Sequence, residues 1–318
     1  MGQKQNFAAA WGAQIFAPNG STGDITHNVT PLNCHSHNDY RRSAPLYEAL
    51  HYGCTSIEAD IWLTNKTDDS ELYVGHSMSS LKQDRTLRSM YINPLLELLD
   101  ATNRNETSSQ AKGVFHTAPA QALVLLIDIK NKPGQSFDAL TKHIEPFRAR
   151  NYLTHHNGSA LISSPLTIVM SGSTPYASIL AQPSTKRDIF FDAPLNSLTP
   201  PLTKPSESDS PATHEIFEDY NTTTSLYASA SLRLLLGQSP FPFFFPWSPT
   251  SRQLKGVRSA TAAAHARGLQ VRWWDTPVWP RTRGWLWGFL VREGADVLSV
   301  DDMGAVSSWL GKVKEGGE

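Results

Sequence analysis

Histidines and carboxylates stand at the ends of three short apolar segments, in the types and spacing that acid-base and metal chemistry require. The first segment ends in His35 and His37, the second contains Glu58 and Asp60, and the third contains Asp128. Residues two apart in a strand point to the same side, so Glu58 and Asp60 share a face. A lone charge inside an apolar run is costly unless something compensates it.

Either of two kinds of partner would offset the cost of burying these acids. Three carboxylates at one place supply hard oxygen ligands, which suit one Mg²⁺ or Ca²⁺ ion, with water and a phosphate oxygen completing its coordination. The alternative is a buried ion-pair network without a metal, in which Lys130 neutralises Glu58 or Asp128.

A third histidine follows the second segment. After the turn at 65–70, Leu72, Val74 and His76 alternate along a short strand that would return beside the Glu58 and Asp60 segment. That strand would deliver His76 to the same rim, opposite His35 or His37. Two histidines flanking a metal-bound phosphate form an acid-base pair, in which one deprotonates the attacking hydroxyl and the other protonates the leaving oxygen.

The elements that carry these residues are short β-branched runs alternating with helical patterns, which is typical of a parallel sheet with crossover helices. Eight such runs predict an α/β fold with a single (β/α)8 TIM-type barrel, and the carboxyl ends of its strands would form the floor of the active site. An open doubly wound sheet is the alternative, but the segment 34–40 lacks the glycine-rich loop that it usually carries. The predicted strands are 30–34, 55–62, 123–129, 166–170, 188–191, 225–229, 269–273 and 296–300, and the predicted helices are 45–52, 94–101, 137–149, 252–267, 282–293 and 303–313.

We predict an N-terminal extension over residues 1–29 and one barrel domain over 30–318. Two insertions, 102–121 and 199–213, are polar or rich in proline and serine, and we predict loops there. Segment 240–247 contains four phenylalanines, which fit a buried plug under a long loop, or else a lid or a wedge that makes transient contact with a membrane surface.

Composition narrows the classes of partner. With 28 basic and 29 acidic residues, the chain has no strong field of one sign, which argues against nucleic acid and favours a small-molecule or lipid substrate and a monomer. No apolar stretch reaches the length of a membrane span. Six Asn-x-Ser/Thr sequons favour a secreted or luminal glycoprotein whose leader is absent from this sequence, although chance matches in a chain rich in serine and threonine would explain them too.

Cys34 and Cys54 are the two cysteines of the chain, so a disulfide-rich scaffold is excluded. Cys34 ends one predicted strand and Cys54 begins the next. If these strands are parallel neighbours, the two sulfur atoms would lie roughly 13 Å apart, which is too far for a bridge.

Five motifs resemble the phospholipase C-like phosphodiesterase superfamily, and within it the fungal altered inheritance of mitochondria proteins, relatives of glycerophosphodiester phosphodiesterases and sphingomyelinases D. The resemblance covers about positions 30–305. The motifs are the run His35-Ser-His-Asn-Asp-Tyr40, the strand Ser56-Ile-Glu-Ala-Asp60, and the segments Leu72–His76, Leu126–Lys130 and Val271–Trp274.

The resemblance implies a metal-dependent phosphoric diester hydrolase, or a phospholipase D-like lyase that forms a cyclic phosphate, with a distorted barrel. It implies His35 and His76 as catalytic histidines, with His37 an open alternative to His35. It further implies Glu58, Asp60 and Asp128 as ligands of one Mg²⁺ or Ca²⁺ ion. The implied substrate contacts are Lys130, Asn38, Trp274 and Asp301. The His-Arg-Gly and Pro-Glu-Asn-Thr patterns of glycerophosphodiester phosphodiesterases are absent, so the head group stays open.

Two other functions remain open from the residues. A zinc amidohydrolase also begins with a His-x-His pair on its first strand and ends with an aspartate on its eighth, here Asp301, but it needs further histidines on strands five and six. The other alternative is a barrel that keeps the site and serves as a non-catalytic binding module. Turnover of a generic phosphodiester would separate the module from an enzyme.

Overall fold

The computed structural model describes residues 25–64, 71–104, 110–198, 220–236, 249–276 and 280–314. Within them, eight parallel strands form a closed barrel, and three short strands lie outside it. The strands are β1 (Leu32–Ser36), β2 (Cys54–Leu63), β3 (Leu72–Val74), β4 (Leu123–Ile129), β5 (His155–His156), β6 (Leu161–Ile162), β7 (Leu166–Gly172), β8 (Ile189–Pro194), β9 (Ser225–Ser231), β10 (Gln270–Trp274) and β11 (Val297–Val300).

Hydrogen bonding around the barrel follows the order β1-β11-β10-β9-β8-β7-β4-β2, and the pairing of β1 with β2 closes it. The strand β3 pairs antiparallel with β2 and extends the wall at that point. The β5–β6 hairpin forms a separate two-stranded sheet. The prediction of a (β/α)8 barrel is therefore confirmed, and each of the eight predicted strands coincides with a barrel strand to within three residues at either end.

Helices cover the outside of the barrel. They are α1 (Tyr47–His51), α2 (Asn93–Asn103), α3 (Pro133–His143), α4 (Glu145–Arg148), α5 (Tyr176–Leu180), α6 (Leu232–Leu236), α7 (Ser251–His265), α8 (Pro280–Arg292) and α9 (Met303–Lys314), with shorter turns at Asp39–Arg41, Met78–Ser80, Arg88–Ile92 and Leu195–Ser197. The predicted helix 137–149 is two helices, and each begins with or directly before a proline, Pro133 or Pro146. A proline favours the first helical turn because it lacks the N–H that is unpaired there.

The barrel strands separate two apolar cores because their side chains alternate in direction. In β4, Leu125 and Ile127 belong to the large core under the helices, whereas Leu126 points into the barrel. The layer that fills the barrel interior consists of Val124, Leu126, Val169, Phe190, Tyr227 and Val297. Toward the carboxyl ends of the strands, the inward positions become polar, and the candidate site begins there.

A disulfide joins Cys34 to Cys54, so the prediction that these cysteines lie too far apart is wrong. Their Cα atoms are 4.7 Å apart, within the range of disulfides. Leu32 and Cys54, the first residues of β1 and β2, pair with each other, and a shift in register before the next pair, His35 with Ser56, brings Cys34 beside the start of β2. The prediction placed Cys34 at the end of its strand, but β1 runs from Leu32 to Ser36, so Cys34 lies in its middle and close to the level of Cys54.

Some predicted features lie outside the described residues, among them most of the extension 1–29, the loop 199–213 and the phenylalanine-rich segment 240–247. The described end of the extension contacts the barrel domain. Ile25 and Thr26 are buried there, and the Thr26 hydroxyl donates to the carbonyl of Val114. Of the helices described, none is both long and apolar enough to cross a membrane.

Candidate active site

The three acidic residues of the sequence motifs meet inside one end of the barrel. Asp60 of β2 is in register with Asp128 of β4, and Glu58 lies one inward position deeper. One carboxylate oxygen from each of the three lies within 4.8 Å of the others. Two of the three side chains are buried, and Asp128 is partly exposed toward the mouth. This spacing lets one small cation contact all three.

Lys130 bridges two of these carboxylates. Its Nζ lies 3.1 Å from Asp60 Oδ2 and 2.9 Å from Asp128 Oδ1. Burial acts to lower the pKa of Lys130, but the charges of these two acids outweigh it and raise that pKa. Lys130 therefore stays protonated. The ion pairs of the metal-free alternative are thus present in part. They leave Glu58 outside the contacts of Lys130, whose one ammonium group is shared by the other two acids.

Asp60 gives a test of whether this set fits a cation. Its Oδ1 is buried and has no hydrogen-bond partner among the described residues. Burial and the neighbouring Glu58 charge raise the pKa of Asp60 to about 6, against the pull of Lys130. A buried carboxylate oxygen without a partner is costly. A divalent cation held by Glu58, Asp60 and Asp128 would satisfy that oxygen, and oxygen ligands are what Mg²⁺ and Ca²⁺ prefer.

The strand β7, which pairs with β4, leaves space for the Asp128 side chain. The Ser171 hydroxyl donates to Asp128 Oδ2 at 3.1 Å. The next residue is Gly172, with a φ of +67°, and a Cβ there would overlap the Asp128 carboxylate and the Ile129 carbonyl. A glycine is needed at this place for both its backbone conformation and its missing side chain.

Of the two histidines of the first segment, His35 lies deep in the barrel. Its side chain is fully buried, its Nδ1 lies 2.7 Å from Ser56 Oγ, and its Nε2 lies 3.5 Å from Glu58 Oε2. Burial and the nearby charge of Arg272 lower the pKa of His35 to about 4, so its imidazole is neutral near pH 7. The sequence pattern alone could not separate this position from that of His37.

His37 lies at the rim instead, with 30% of its side chain exposed. Its Nδ1 is 3.1 Å from Asp301 Oδ1. Burial acts to lower the pKa of His37, but the hydrogen bond to Asp301 and the charge of Glu58 outweigh it and raise that pKa. Asp301, predicted as a substrate contact, is therefore the partner of His37, and Arg42 holds the same corner through hydrogen bonds to the carbonyls of His37 and Val300.

Asn38 connects the rim to the deepest of the three acids. It has a left-handed backbone, with a φ of 50°, and its N–H donates to Glu58 Oε2 at 2.9 Å. Burial acts to raise the pKa of Glu58, but the adjacent His35 imidazole and the charges of His37 and Arg272 hold it well below its usual range. Glu58 is therefore an anion.

His76 reaches the mouth as the β2–β3 hairpin predicts. The N–H of Gly75 donates to the backbone carbonyl of Asp60 at 3.1 Å, which places the next residue at the rim. The His76 side chain is 57% exposed, and its Nδ1 lies 3.2 Å from the Tyr40 hydroxyl and 3.5 Å from Asp60 Oδ2. Burial of the ring, with the charges of Arg41 and Lys130, lowers the pKa of His76.

Two buried charges that the sequence analysis did not single out lie beneath the site. Arg272 of β10 donates to Asp192 Oδ2 at 2.9 Å and to Ser229 Oγ at 3.0 Å. Arg272 alternates with its neighbours so that it faces the barrel interior, and this could have indicated its buried position from the sequence. Asp192 lies one residue beyond the predicted strand 188–191.

Trp274, two residues after Arg272, ends β10 with its side chain 38% exposed, as a substrate contact would require.

The zinc amidohydrolase alternative needs histidines that are not there. The fifth and sixth barrel strands, β8 and β9, are fully described and contain none. The candidate ligands at the mouth are the oxygen atoms of Glu58, Asp60 and Asp128.

Comparison with known proteins identifies the family to which the chain is similar. The profile of the AIM6-like phosphodiesterase domain matches residues 23–192. That range includes the three predicted histidines, the three predicted metal ligands and Lys130, but neither Trp274 nor Asp301. Among similar proteins, the altered inheritance of mitochondria protein 6 homolog of Arthroderma benhamiae is 36% identical over 90% of this chain and 86% of its own length. The altered inheritance of mitochondria protein 6 of Eremothecium gossypii is 34% identical, over 90% of this chain and 71% of its own. That of Saccharomyces cerevisiae is 30% identical, over 90% and 73%.

Proposed function

This chain belongs to the AIM6-like phosphodiesterase family, and we propose that it cleaves its phosphodiester with one divalent cation, Mg²⁺ or Ca²⁺, and two rim histidines. The observation that carries the proposal is the convergence of Glu58, Asp60 and Asp128 within 4.8 Å, with a buried Asp60 oxygen that lacks a partner. The bound cation would neutralise charge on the phosphate in the transition state.

The acid-base pair is His37 with His76. The His76 imidazole is exposed at the mouth and that of His37 is partly exposed, as a group that exchanges protons with substrate requires, whereas His35 is fully buried. General acid-base catalysis needs direct contact with the reacting oxygen or contact through one water. Exposure therefore favours His37 over His35 as the first catalytic histidine, and His35 supports Glu58 from below.

The remaining contacts favour a small phosphodiester. Lys130 and the backbone N–H of Asn38 contact the carboxylates, where a phosphate would bind, and Trp274 offers an exposed aromatic surface at the same end of the barrel. We propose a glycerophosphodiester, lysophospholipid or sphingolipid-like substrate. Phosphorus NMR of the products from such a panel would identify the head group and would separate hydrolysis from formation of a cyclic phosphate.

The test is turnover of bis-(p-nitrophenyl) phosphate by the full chain with Mg²⁺, Ca²⁺ or Mn²⁺. We expect metal-dependent activity that Glu58→Gln and Asp60→Asn abolish while the circular dichroism spectrum stays unchanged. Glu145→Gln, a change of an exposed acid on α4, is the matched control and should keep full activity. An inactive wild type with all three metals would favour a binding module, and activity in Asp60→Asn would remove the metal from the mechanism.

We also propose that the protein works in an oxidising compartment, as a secreted or luminal glycoprotein. The Cys34–Cys54 bridge supports this, because disulfides rarely persist in the cytosol. Two of the sequon asparagines, Asn28 and Asn157, are exposed in the described structure. Mass spectrometry of the native protein after glycosidase treatment tests it, and unmodified sequons with reduced cysteines would contradict it.

A further inference from the structure

The hydroxyl of Tyr40 lies at the junction between a candidate metal ligand and a rim histidine. It is 2.7 Å from Asp60 Oδ2 and 3.2 Å from His76 Nδ1, and Asn38 Oδ1 lies within hydrogen-bonding distance of it as well. The tyrosine is 3% exposed. Its backbone is held by the Asp39–Arg41 turn and by a hydrogen bond from Arg85 to its carbonyl. The hydroxyl is thus a fixed point at an otherwise open rim.

The direction of these hydrogen bonds follows from counting protons. A tyrosine hydroxyl has one proton to donate, and it faces two oxygen atoms, Asp60 Oδ2 and Asn38 Oδ1, that only accept. Whichever oxygen receives the proton, none is left for His76. The contact between Tyr40 and His76 Nδ1 is then a hydrogen bond only if Nδ1 carries the proton and donates it to the tyrosine oxygen.

The geometry points to Tyr40 as a positioning residue that holds neutral His76 with its proton on Nδ1 and so leaves Nε2 as the proton acceptor. This inference rests on the proposed catalytic role of His76. An imidazole with 57% of its side chain exposed has little packing to fix its ring, and a hydrogen bond to a buried hydroxyl supplies both an orientation and a tautomer. His76 Nδ1 and Asp60 Oδ2 are 3.5 Å apart, too far for a strong direct hydrogen bond, so the hydroxyl bridges them.

A kinetic experiment compares Tyr40→Phe with Tyr47→Phe. Tyr47 is a matched control because it is buried and its hydroxyl has no hydrogen-bond partner among the described residues. With saturating Mg²⁺ and bis-(p-nitrophenyl) phosphate, we expect Tyr40→Phe to lower kcat by about 10–100-fold and to change KM by less than about twofold. Tyr47→Phe should keep the wild-type kcat. An unchanged kcat in Tyr40→Phe, or a loss that excess metal restores, would overturn the inference.

A second measurement reads the tautomer and does not depend on turnover. Two-bond ¹⁵N–¹H spectra of histidine-labelled protein at about pH 8.5, where imidazole is neutral, distinguish a proton on Nδ1 from one on Nε2. The His76 signals are assigned by their loss in His76→Gln. We expect Nδ1–H in the wild type and in Tyr47→Phe, and a shift toward Nε2–H in Tyr40→Phe, since free imidazole side chains favour that form in water.

The two measurements separate failure of this inference from failure of the proposed function. If the wild type shows no metal-dependent turnover but His76 carries its proton on Nδ1 and loses it from there in Tyr40→Phe, the proposed function fails and the positioning role stands. An Nε2–H tautomer in the wild type overturns the positioning role even if Tyr40→Phe does not fold. An Nδ1–H tautomer retained in Tyr40→Phe would assign the role to Asp60 instead.

Discussion

Individual side chains at the mouth are distinguished by their depth in the barrel. His35 and His37 are two residues apart, yet one is fully buried against Glu58 and the other is exposed beside Asp301. Depth also distinguishes the acids, because Glu58 lies one inward-facing position deeper in the barrel than Asp60 and Asp128. Groups that react with a substrate must lie near the mouth, and the deeper residues hold them in place.

Exchanging each histidine for asparagine separates these roles. His37→Asn should lower kcat by about 10²–10⁴-fold, the usual contribution of a general acid or base, with little change in stability. His35→Asn should lower the free energy of unfolding by about 1–3 kcal/mol, because it removes a buried hydrogen bond to Ser56. Steady-state kinetics and urea unfolding measure the two effects. The reverse pattern would make His35 the catalytic histidine.

Asp301 should set the pH dependence of the activity through His37. Its hydrogen bond and charge raise the pKa of His37, so Asp301→Asn lowers that pKa. The limb of the pH–rate profile that belongs to His37 should therefore move to lower pH, whether His37 acts as acid or as base. Asp302→Asn is the control, because Asp302 contacts Arg283 and the start of α9 instead. A limb that stays in place in Asp301→Asn would remove His37 from the profile.

Among the elements, β7 and the paired strands β1 and β2 decide the geometry of the site. Strand β7 contributes Gly172, which leaves room for the Asp128 carboxylate. The β1–β2 pair carries His35 and two of the three acids, His37 follows directly after β1, and the Cys34–Cys54 bridge ties the two strands together. Changes in either element should therefore reach the site without touching a reacting group.

Gly172→Ala tests the first of these elements. The new methyl group would overlap Asp128 and the Ile129 carbonyl at a positive φ, so we expect a loss of at least about 1 kcal/mol of stability and weaker metal binding. Gly134→Ala, on α3 with no atom within 4 Å of the added methyl, should leave both unchanged. Calorimetric unfolding and metal titration report the effects, and a Gly172→Ala protein with wild-type metal affinity would show that Asp128 is not held by this contact.

Removing the Cys34–Cys54 bridge tests the second element, the paired strands β1 and β2. The double variant Cys34→Ala/Cys54→Ala should lose about 3 kcal/mol of unfolding free energy, since the bridge closes a loop with a sequence separation of 20 residues. Both cysteines are fully buried, so a mild reductant should leave the folded wild type intact. With reductant present throughout denaturation, the wild type and the variant should unfold with similar free energies. A variant as stable as the oxidised wild type would contradict the prediction.

At the scale of the whole molecule, the three acids of the mouth have one lysine or arginine in ion-pair contact with them among the described residues, and that is Lys130. Arg272 and Asp192 pair with each other, and Lys130 is shared by Asp60 and Asp128, while the chain as a whole carries a net charge of −1. The closeness of the three acids is a cost to the fold that a bound cation would relieve. Metal binding should therefore be visible in the stability of the entire domain.

Removing divalent ions with EDTA should lower the unfolding midpoint, and Mg²⁺ or Ca²⁺ should restore it. Metal at a hundred times its Kd stabilises by about 2.7 kcal/mol, which corresponds to about 3–6 °C in a domain of this size. Differential scanning fluorimetry measures the shift. Asp60→Asn should show no shift, and an equal shift in that variant would place the bound metal elsewhere.

The alternation of apolar and polar residues was enough to predict much of this architecture. Strand periodicity located the eight barrel strands, and the inward parity of Glu58, Asp60 and Asp128 predicted that they would meet at one mouth. These are local properties, since the direction of a side chain in a strand is set by its own neighbours in sequence. The β2–β3 hairpin, which carries His76 to the rim, followed from the same reasoning.

What the sequence by itself determined is therefore the set of strands, their closure into a barrel and the acids that its mouth would hold. Tertiary structure decided the rest: the pairing of Cys34 with Cys54, the burial of His35 beneath the exposed His37, and the buried contact of Arg272 with Asp192. The reason is that the register of neighbouring strands and the depth of a residue in a closed barrel depend on how the strands pair and tilt together, and no single segment of the chain encodes these.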